Sequence, residues 1–322
     1  MIFGVSINNR GATYLPEYGA GGMLTLAKTC EELGFNNVWV HDNITGNSGY
    51  EAMATLAAVS ALTQTIKIGT SILMPFYRNP ILLSQQVSTI DHLSGGRLIL
   101  GLGTGGVVKD TKKERAEFTG SAKLDPFVAL EEYITALKAL WVGGKGSSPV
   151  SFDGRYVRFR DVTLTYSAFQ NPYPPIWIAA GTYHNGRYFG RFDLVAKVAD
   201  GWFTLRATPQ EVKDALDQIV ELRKRHHREA VPFTSCVEFW FCVDPDRERA
   251  LNVCRDAICR YIGKQVGDDT VSRWSLFGPA SEIIDRIDSY GRAGVDSIKI
   301  VSAAGDQIKS ANIFAKEIMP SF

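Results

Sequence analysis

No sign of charge dominates this sequence: 35 Lys and Arg stand against 34 Asp and Glu, a formal net charge of +1 over 322 residues. So even a balance supplies no field to draw in a polyanion, and neither nucleic acid nor an anionic membrane surface is expected as a partner. Long apolar runs are missing too. No stretch approaches the roughly 18 apolar residues of a membrane span, and the opening MIFGVSINNR has no basic stretch ahead of an apolar core. Nothing is read as targeting or anchoring the chain, and a cytoplasmic protein is expected. Cysteine is scarce and odd in number, with Cys30, Cys236, Cys242, Cys254 and Cys259, and no pair has C-x-x-C spacing. Reduced, mostly buried thiols follow. The sequence also lacks H-E-x-x-H and G-x-S-x-G, so neither a metal site nor a hydrolase nucleophile elbow is expected.

What the sequence does contain is a rhythm. Strand-length apolar runs rich in β-branched residues recur at 2–7, 35–41, 66–73, 97–102, 175–180, 201–205, 236–243 and 296–301. The segments between them carry helical periodicity, the pattern of repeated βα units around a parallel sheet. Asn79-Pro80 reads as an N-cap and first-turn pair, and Gly34 and Gly95-Gly96 as helix stops. After Gly103 the tempo changes. A polar segment and a helix at about 126–141 lead into an excursion over 143–175, in which Asp153-Gly154 is a hairpin signal. That excursion is too long for a routine connection and is read as an inserted lid. Eight units without a linker predict one domain over 1–322, an α/β fold of the (β/α)8 TIM-barrel type with its insertion between the fourth and fifth strands. An open doubly wound sheet is the other topology the pattern allows.

In such a barrel the chemistry belongs at the C-terminal ends of the strands. Those ends supply Asn8, Asn9, Arg10, His41, Asp42, Asn43, Ser71, Ile72, Met74, Thr104, Gly105 and Gly106 in the first half. The second half adds Gly181, Thr182, Tyr183, His184, Thr204, Arg206, Glu238, Trp240 and Ser302. Gly101-Leu-Gly103-Thr-Gly105-Gly106 spells a dinucleotide fingerprint, but that mechanism needs an amphipathic helix directly afterwards. The chain instead continues VVKDTKKERAEF. Glycines that permit a wide turn or a tight loop explain the run better. His41-Asp42-Asn43 is either an acid/base constellation at the mouth or a strand-end turn. His226 and His227 lie on a charged helix and His92 lies in the third helix, which leaves His41 and His184 as the candidate catalytic histidines. Phe76, Tyr77, Tyr183, Tyr188 and Trp202 read first as packing and second as a surface on which a planar ligand stacks.

The segments VWVHDN, IGTSILMPFYRNP, LSQQVSTIDHLSGGRLILGLGTGG, PPIWIAAGT and ADGWFT, in this order, resemble the luciferase-like flavin-dependent oxidoreductases across essentially the whole chain. The resemblance implies a barrel with an insertion, a flavin-type ring in its mouth, and a homodimer. GTSILMP-x-x-RNP with GLGTG is most similar to the branch that uses the deazaflavin coenzyme F-420 (F420), while the other branch uses FMN, often with oxygen. It further implies a cofactor contact from Asp42, a non-proline cis peptide joining Ser71 and Ile72 behind the ring, cofactor contacts from Asn43, Met74, Thr104 and Gly105, and a phosphate-proximal pair in Gly181 and Thr182. Two departures stand out. Asn43 replaces a catalytic His of that branch, and Gly106 replaces the catalytic Glu of its sugar-phosphate dehydrogenases. Neither side chain can titrate. A sugar-phosphate dehydrogenase is therefore not expected; either His41 or His184 replaces the lost group, or the hydride goes to an electrophile that draws its proton from water. Hydride transfer between F420, or FMN, and a small organic substrate is the expected activity. An FMN monooxygenase and a flavin-binding barrel without catalysis are the alternatives.

Overall fold

The computed structural model describes residues 1–7, 9, 19–42, 44, 49–105, 111–120, 123–143, 148–184 and 187–322, without the side chains of 111–114, 182–184 and 187. The first half runs β1 (Ile2–Ser6), α1 (Gly19–Glu32), β2 (Asn37–Val40), α2 (Ala52–Leu62), β3 (Lys67–Thr70), α3 (Pro80–Leu93), β4 (Leu98–Leu102), α4 (Thr111–Thr119) and α5 (Pro126–Gly143). Then come β5 (Val150–Asp153), β6 (Arg158–Val162), β7 (Ile176–Ala179), β8 (Thr182–His184), β9 (Arg187–Phe189), α6 (Phe192–Val198), β10 (Gly201–Leu205) and α7 (Pro209–Arg225). The chain closes with β11 (Thr234–Val243), α8 (Arg247–Ile262), α9 (Asp268–Trp274), β12 (Ser275–Gly278), α10 (Ala280–Arg292), β13 (Ser297–Ser302) and α11 (Gln307–Glu317).

Strands β1, β2, β3, β4, β7, β10, β11 and β13 pair in parallel around a closed ring, with β10 joining β7 to β11 and β13 joining β11 to β1. The fold is a (β/α)8 barrel, and the open sheet is set aside by this closure. Local chemistry sets the boundaries where the sequence placed them. The Asn79 side chain accepts from the N–H groups of Ile81 and Leu82, with Pro80 at the first helical position, and Glu51 caps α2 through the Ala54 N–H. The short strands β8, β9 and β12 were not anticipated. β11 is ten residues long; its first half pairs with β10, while Trp240–Val243 runs past the end of β10 and pairs with β12. Four residues, SLFG, directly after a helix carry no periodicity from which to read a strand.

The barrel interior is floored by aromatic rings. Trp39, Trp177 and Phe203 meet pairwise at centroid separations of 5.0–5.3 Å, with Ile99 and Cys236 beside them. Glycines on neighbouring strands make the room. A Cβ on Gly4 or Gly69 would fall about 2.4–2.5 Å from the Trp39 ring, and one on Gly201 2.5 Å from Trp177. On Gly101 it would meet the Thr70 carbonyl oxygen at 2.0 Å. The glycine run at 101–105 therefore serves close packing, with Gly105 supplying a left-handed turn at φ +68°.

The 143–175 excursion forms the expected hairpin, β5 against β6, closed by the Gly154 N–H donating to the Val157 carbonyl. It docks on α5: Val157, Phe159 and Leu164 pack with Ala129, Tyr133, Ala136 and Leu140. Glu132 accepts from the backbone N–H groups of Arg155, Tyr156 and Val157. Met74, Phe76 and Tyr77 belong to the same cluster, which ties the insertion to the segment following β3.

Candidate active site at the barrel mouth

Alternation along a strand puts every second residue on the same face. Stepping up two residues from the aromatic floor therefore names the next interior layer: Ser6 above Gly4, His41 above Trp39, Ser71 above Gly69 and Glu238 above Cys236. Lys299 stands opposite Glu238 in the register of β11 with β13. This layer is polar and almost closed to water. His41 Nε2 and Ser6 Oγ lie 2.8 Å apart. Asn9 clamps the backbone of His41, accepting from its N–H at 2.7 Å and donating to its carbonyl at 2.6 Å. Lys299 is fully buried; its ammonium donates to Glu238 at 2.5 Å and to the Ser71 hydroxyl.

Ser71 and Ile72 are joined by a cis peptide bond, as the family resemblance implied. Ile72 leans over the floor, in contact with the Trp39–Trp177–Phe203 cluster, and a Cβ on Gly103 would meet its side chain at 3.0 Å. The bulge is pinned on both sides, by Ser71 N–H to the Val40 carbonyl and Leu73 N–H to the Gly101 carbonyl.

Asp42 is placed differently from a ligand-facing carboxylate. Arg78 grips it with two hydrogen bonds of 2.8 Å, and the Met74 N–H donates to it at 3.0 Å. Its side chain is 1% exposed. Burial opposes the charge on Arg78, but Asp42 and Glu51 outweigh it and push the guanidinium further above its ordinary value. Asp42 thus fixes the turn after β3, and Met74 is buried with it. Asn43 and Gly106 lie outside the described residues. Thr104 is half-buried, and its carbonyl accepts from Arg115. Gly181, at φ +103°, sits at the end of β7. The chain does not enter a helix there, as the sequence suggested; β8 and β9 form a hairpin first. Tyr188 returns over Gly181, where a Cβ would collide with its hydroxyl, and hydrogen-bonds Thr204. The reason is steric, since only glycine leaves the phenol space. The backbones of Thr182 and His184 belong to β8, and their side chains lie outside the described residues.

The strand ends of the sequence named Glu238 but not Lys299 or Arg78, which the structure places in this layer and against Asp42. A lone Lys in DSIKIVS was the available signal: a barrel strand is covered on both faces, so a charge in its middle must be partnered inside. Among the described residues, no group of three or more His, Cys, Asp or Glu is placed to hold a metal ion, and no helix is long and apolar enough to cross a membrane.

The profile of the luciferase-like monooxygenases matches residues 1–263. The chain belongs to that family. Among curated luciferase-like relatives, an F420-dependent glucose-6-phosphate dehydrogenase of Intrasporangium calvum is 24% identical, over 94% of this chain and 95% of its own. A 5,10-methylenetetrahydromethanopterin reductase of Methanopyrus kandleri is also 24% identical, over 97% and 98%. The solved structure of an F420-dependent secondary alcohol dehydrogenase in complex with an F420-acetone adduct superposes with a TM-score of 0.80 at 21% identity, covering 99% of this chain and 98% of that one. That likeness carries the fold.

Proposed function

We propose that this protein is an oxidoreductase that moves a hydride between coenzyme F420 and a small organic substrate at the barrel mouth. One observation carries the reading: a cis Ser71–Ile72 bulge lies between an aromatic floor and a buried polar layer holding His41, Lys299 and Glu238. The relatives named for F420 span nearly the full chain and support the deazaflavin over FMN. The residues fit such a group. Ile72 offers an apolar platform, Gly105 makes a left-handed turn at the end of β4, and the polar layer of Ser71 carries a buried ammonium.

In this reading the coenzyme supplies the redox chemistry when bound. The protein orients and shields. Ser71 and Ile72 would back the ring, and the Asp42–Arg78 pair would hold the following turn rather than touch the ligand. Met74, Thr104, Gly105, Gly181, Thr182 and Asn43 would line the cofactor. His41, hydrogen-bonded to Ser6, and His184 would hold the proton exchanged with the substrate. The hairpin of the 143–175 insertion would cover the mouth. We also propose a single domain acting as a cytoplasmic homodimer. Because Asn43 and Gly106 cannot titrate, the sugar-phosphate substrate in one relative's name is not carried over.

The family's other chemistry, an FMN monooxygenase using oxygen, makes a different prediction. When reduced F420 and reduced FMN are each supplied with candidate substrates, this reading expects substrate-dependent reoxidation of F420 without oxygen uptake. Oxygen consumption coupled to substrate with FMN alone would favour the monooxygenase. Failure of any substrate to reoxidise bound cofactor would favour the barrel without catalysis.

A further inference from the structure

Three charged residues stand at the mouth end of β10, β11 and β13: Glu238 and Lys299 as an ion pair, and Arg206 within reach of the Glu238 charge. Glu238 is paired with the ammonium of Lys299, so it does not form an ion pair with Arg206 and a positive charge is left over. Arg206 is where that excess lies. It follows β10 directly, and its backbone is left-handed at φ +58°, a conformation that a non-glycine residue keeps only where the surroundings enforce it. Arg273 donates to the Arg206 carbonyl at 3.3 Å, while its own charge is met by Glu211 at 2.8 Å and by Asp269 at 3.7 Å. The Arg206 guanidinium lies over the Trp274 ring at 4.2 Å. Among the described residues it has no hydrogen bond and no ion pair, and its Nε is buried without a partner. Burial lowers its pKa, against the pull of Tyr261 and Glu238. A cation fixed in a strained backbone, stacked on one face and unpaired along its edge is shaped for an anion that arrives from outside.

We propose that Arg206 receives a carboxylate group of the substrate. The planar guanidinium, whose terminal nitrogens have no hydrogen bond among the described residues, matches two coplanar oxygens and would take them bidentately. The surroundings suit an apolar body behind that group: Leu205, Trp240 and Val301 belong to the cluster that Trp274 anchors. The inference rests on reading the mouth as the active site but not on which cofactor the mouth holds.

The test is calorimetric titration of wild type, Arg206→Gln and Arg206→Lys with phenylacetate, its neutral amide phenylacetamide, and inorganic phosphate, each with and without F420. Wild type is expected to bind phenylacetate at least tenfold tighter than the amide and tighter than phosphate. Arg206→Gln should abolish that preference and leave F420 affinity within threefold. Arg206→Lys, which keeps the charge but not the fork, should lose several-fold, and it carries the test should the Gln variant not fold. Equal affinity for acid and amide, no saturable carboxylate binding, preference for phosphate, or an unchanged preference in Arg206→Gln overturns the proposal. A tenfold loss of F420 binding in Arg206→Gln with phenylacetate unaffected also overturns it, because the anion would then belong to the cofactor. Wild type that discriminates the acid but does not bind F420 would remove the cofactor reading and leave this one standing.

Discussion

Lys299 shows how much one side chain commits the interior to. A fully buried ammonium is tolerated only with its charge met and its donors used, and here Glu238 and Ser71 do both. Lys299→Met would strand Glu238 inside the barrel and should lower unfolding free energy by about 3 kcal/mol or more. The double variant with Glu238→Leu should recover most of that loss in urea denaturation. A neutral single variant would contradict the buried pair. Glu31, at the opposite end of the barrel, makes a pH-dependent contribution. Burial pushes its carboxyl up, but the N–H groups of Thr65, Ile66 and Gln64 outweigh that and hold it at about 2, against an ordinary 4.5. A carboxyl depressed by folding stabilises fully above pH 4.5, and that stability is lost as pH falls toward 2. Glu31→Gln should therefore flatten stability against pH across this window and nowhere else, as read from thermal melts at stepped pH.

At the level of elements, the strands and capped helices were legible because they combine strong periodicity with explicit stop signals: Asn79-Pro80 and Gly95-Gly96 bracket α3 as the sequence indicates. The bulge after β3 was legible only through resemblance, since nothing in Thr-Ser-Ile-Leu distinguishes a cis bond from an ordinary strand end. β12 and the β8–β9 hairpin were not legible, because both depend on partners distant from the segment itself: the overhang of β11 and the return of Tyr188 over Gly181. The Gly101 contact makes a sharp element-scale prediction. A methyl at that position would need 2.0 Å to the Thr70 carbonyl, which is backbone and cannot swing aside. Gly101→Ala should separate β3 from β4 and cost at least about 1–3 kcal/mol, whereas Gly19→Ala, with nothing within 4 Å, should not act by packing. Glu132→Ala, which removes the acceptor for three backbone N–H groups of the hairpin, should speed limited proteolysis between 150 and 162 while leaving the barrel intact.

Across the whole molecule, the closed barrel follows from the count and order of the βα units. The site was read less completely. His41, Ser71 and Ile72 are named by the strand ends, but the polar layer around them is a property of closure: Lys299 reaches Ser71 only because β13 and β3 face each other across a ring. The glycines at 4, 69, 101 and 201 show the same dependence, since each is small because of a ring contributed by another strand. The account holds that this closed mouth grips a deazaflavin. Equilibrium fluorescence titration with F420 and with FMN tests that most directly: it predicts saturable binding of F420 at least tenfold tighter than FMN, weakened by Ser71→Trp, which would fill the space at the bulge. Tighter binding of FMN, or binding of neither, would contradict it.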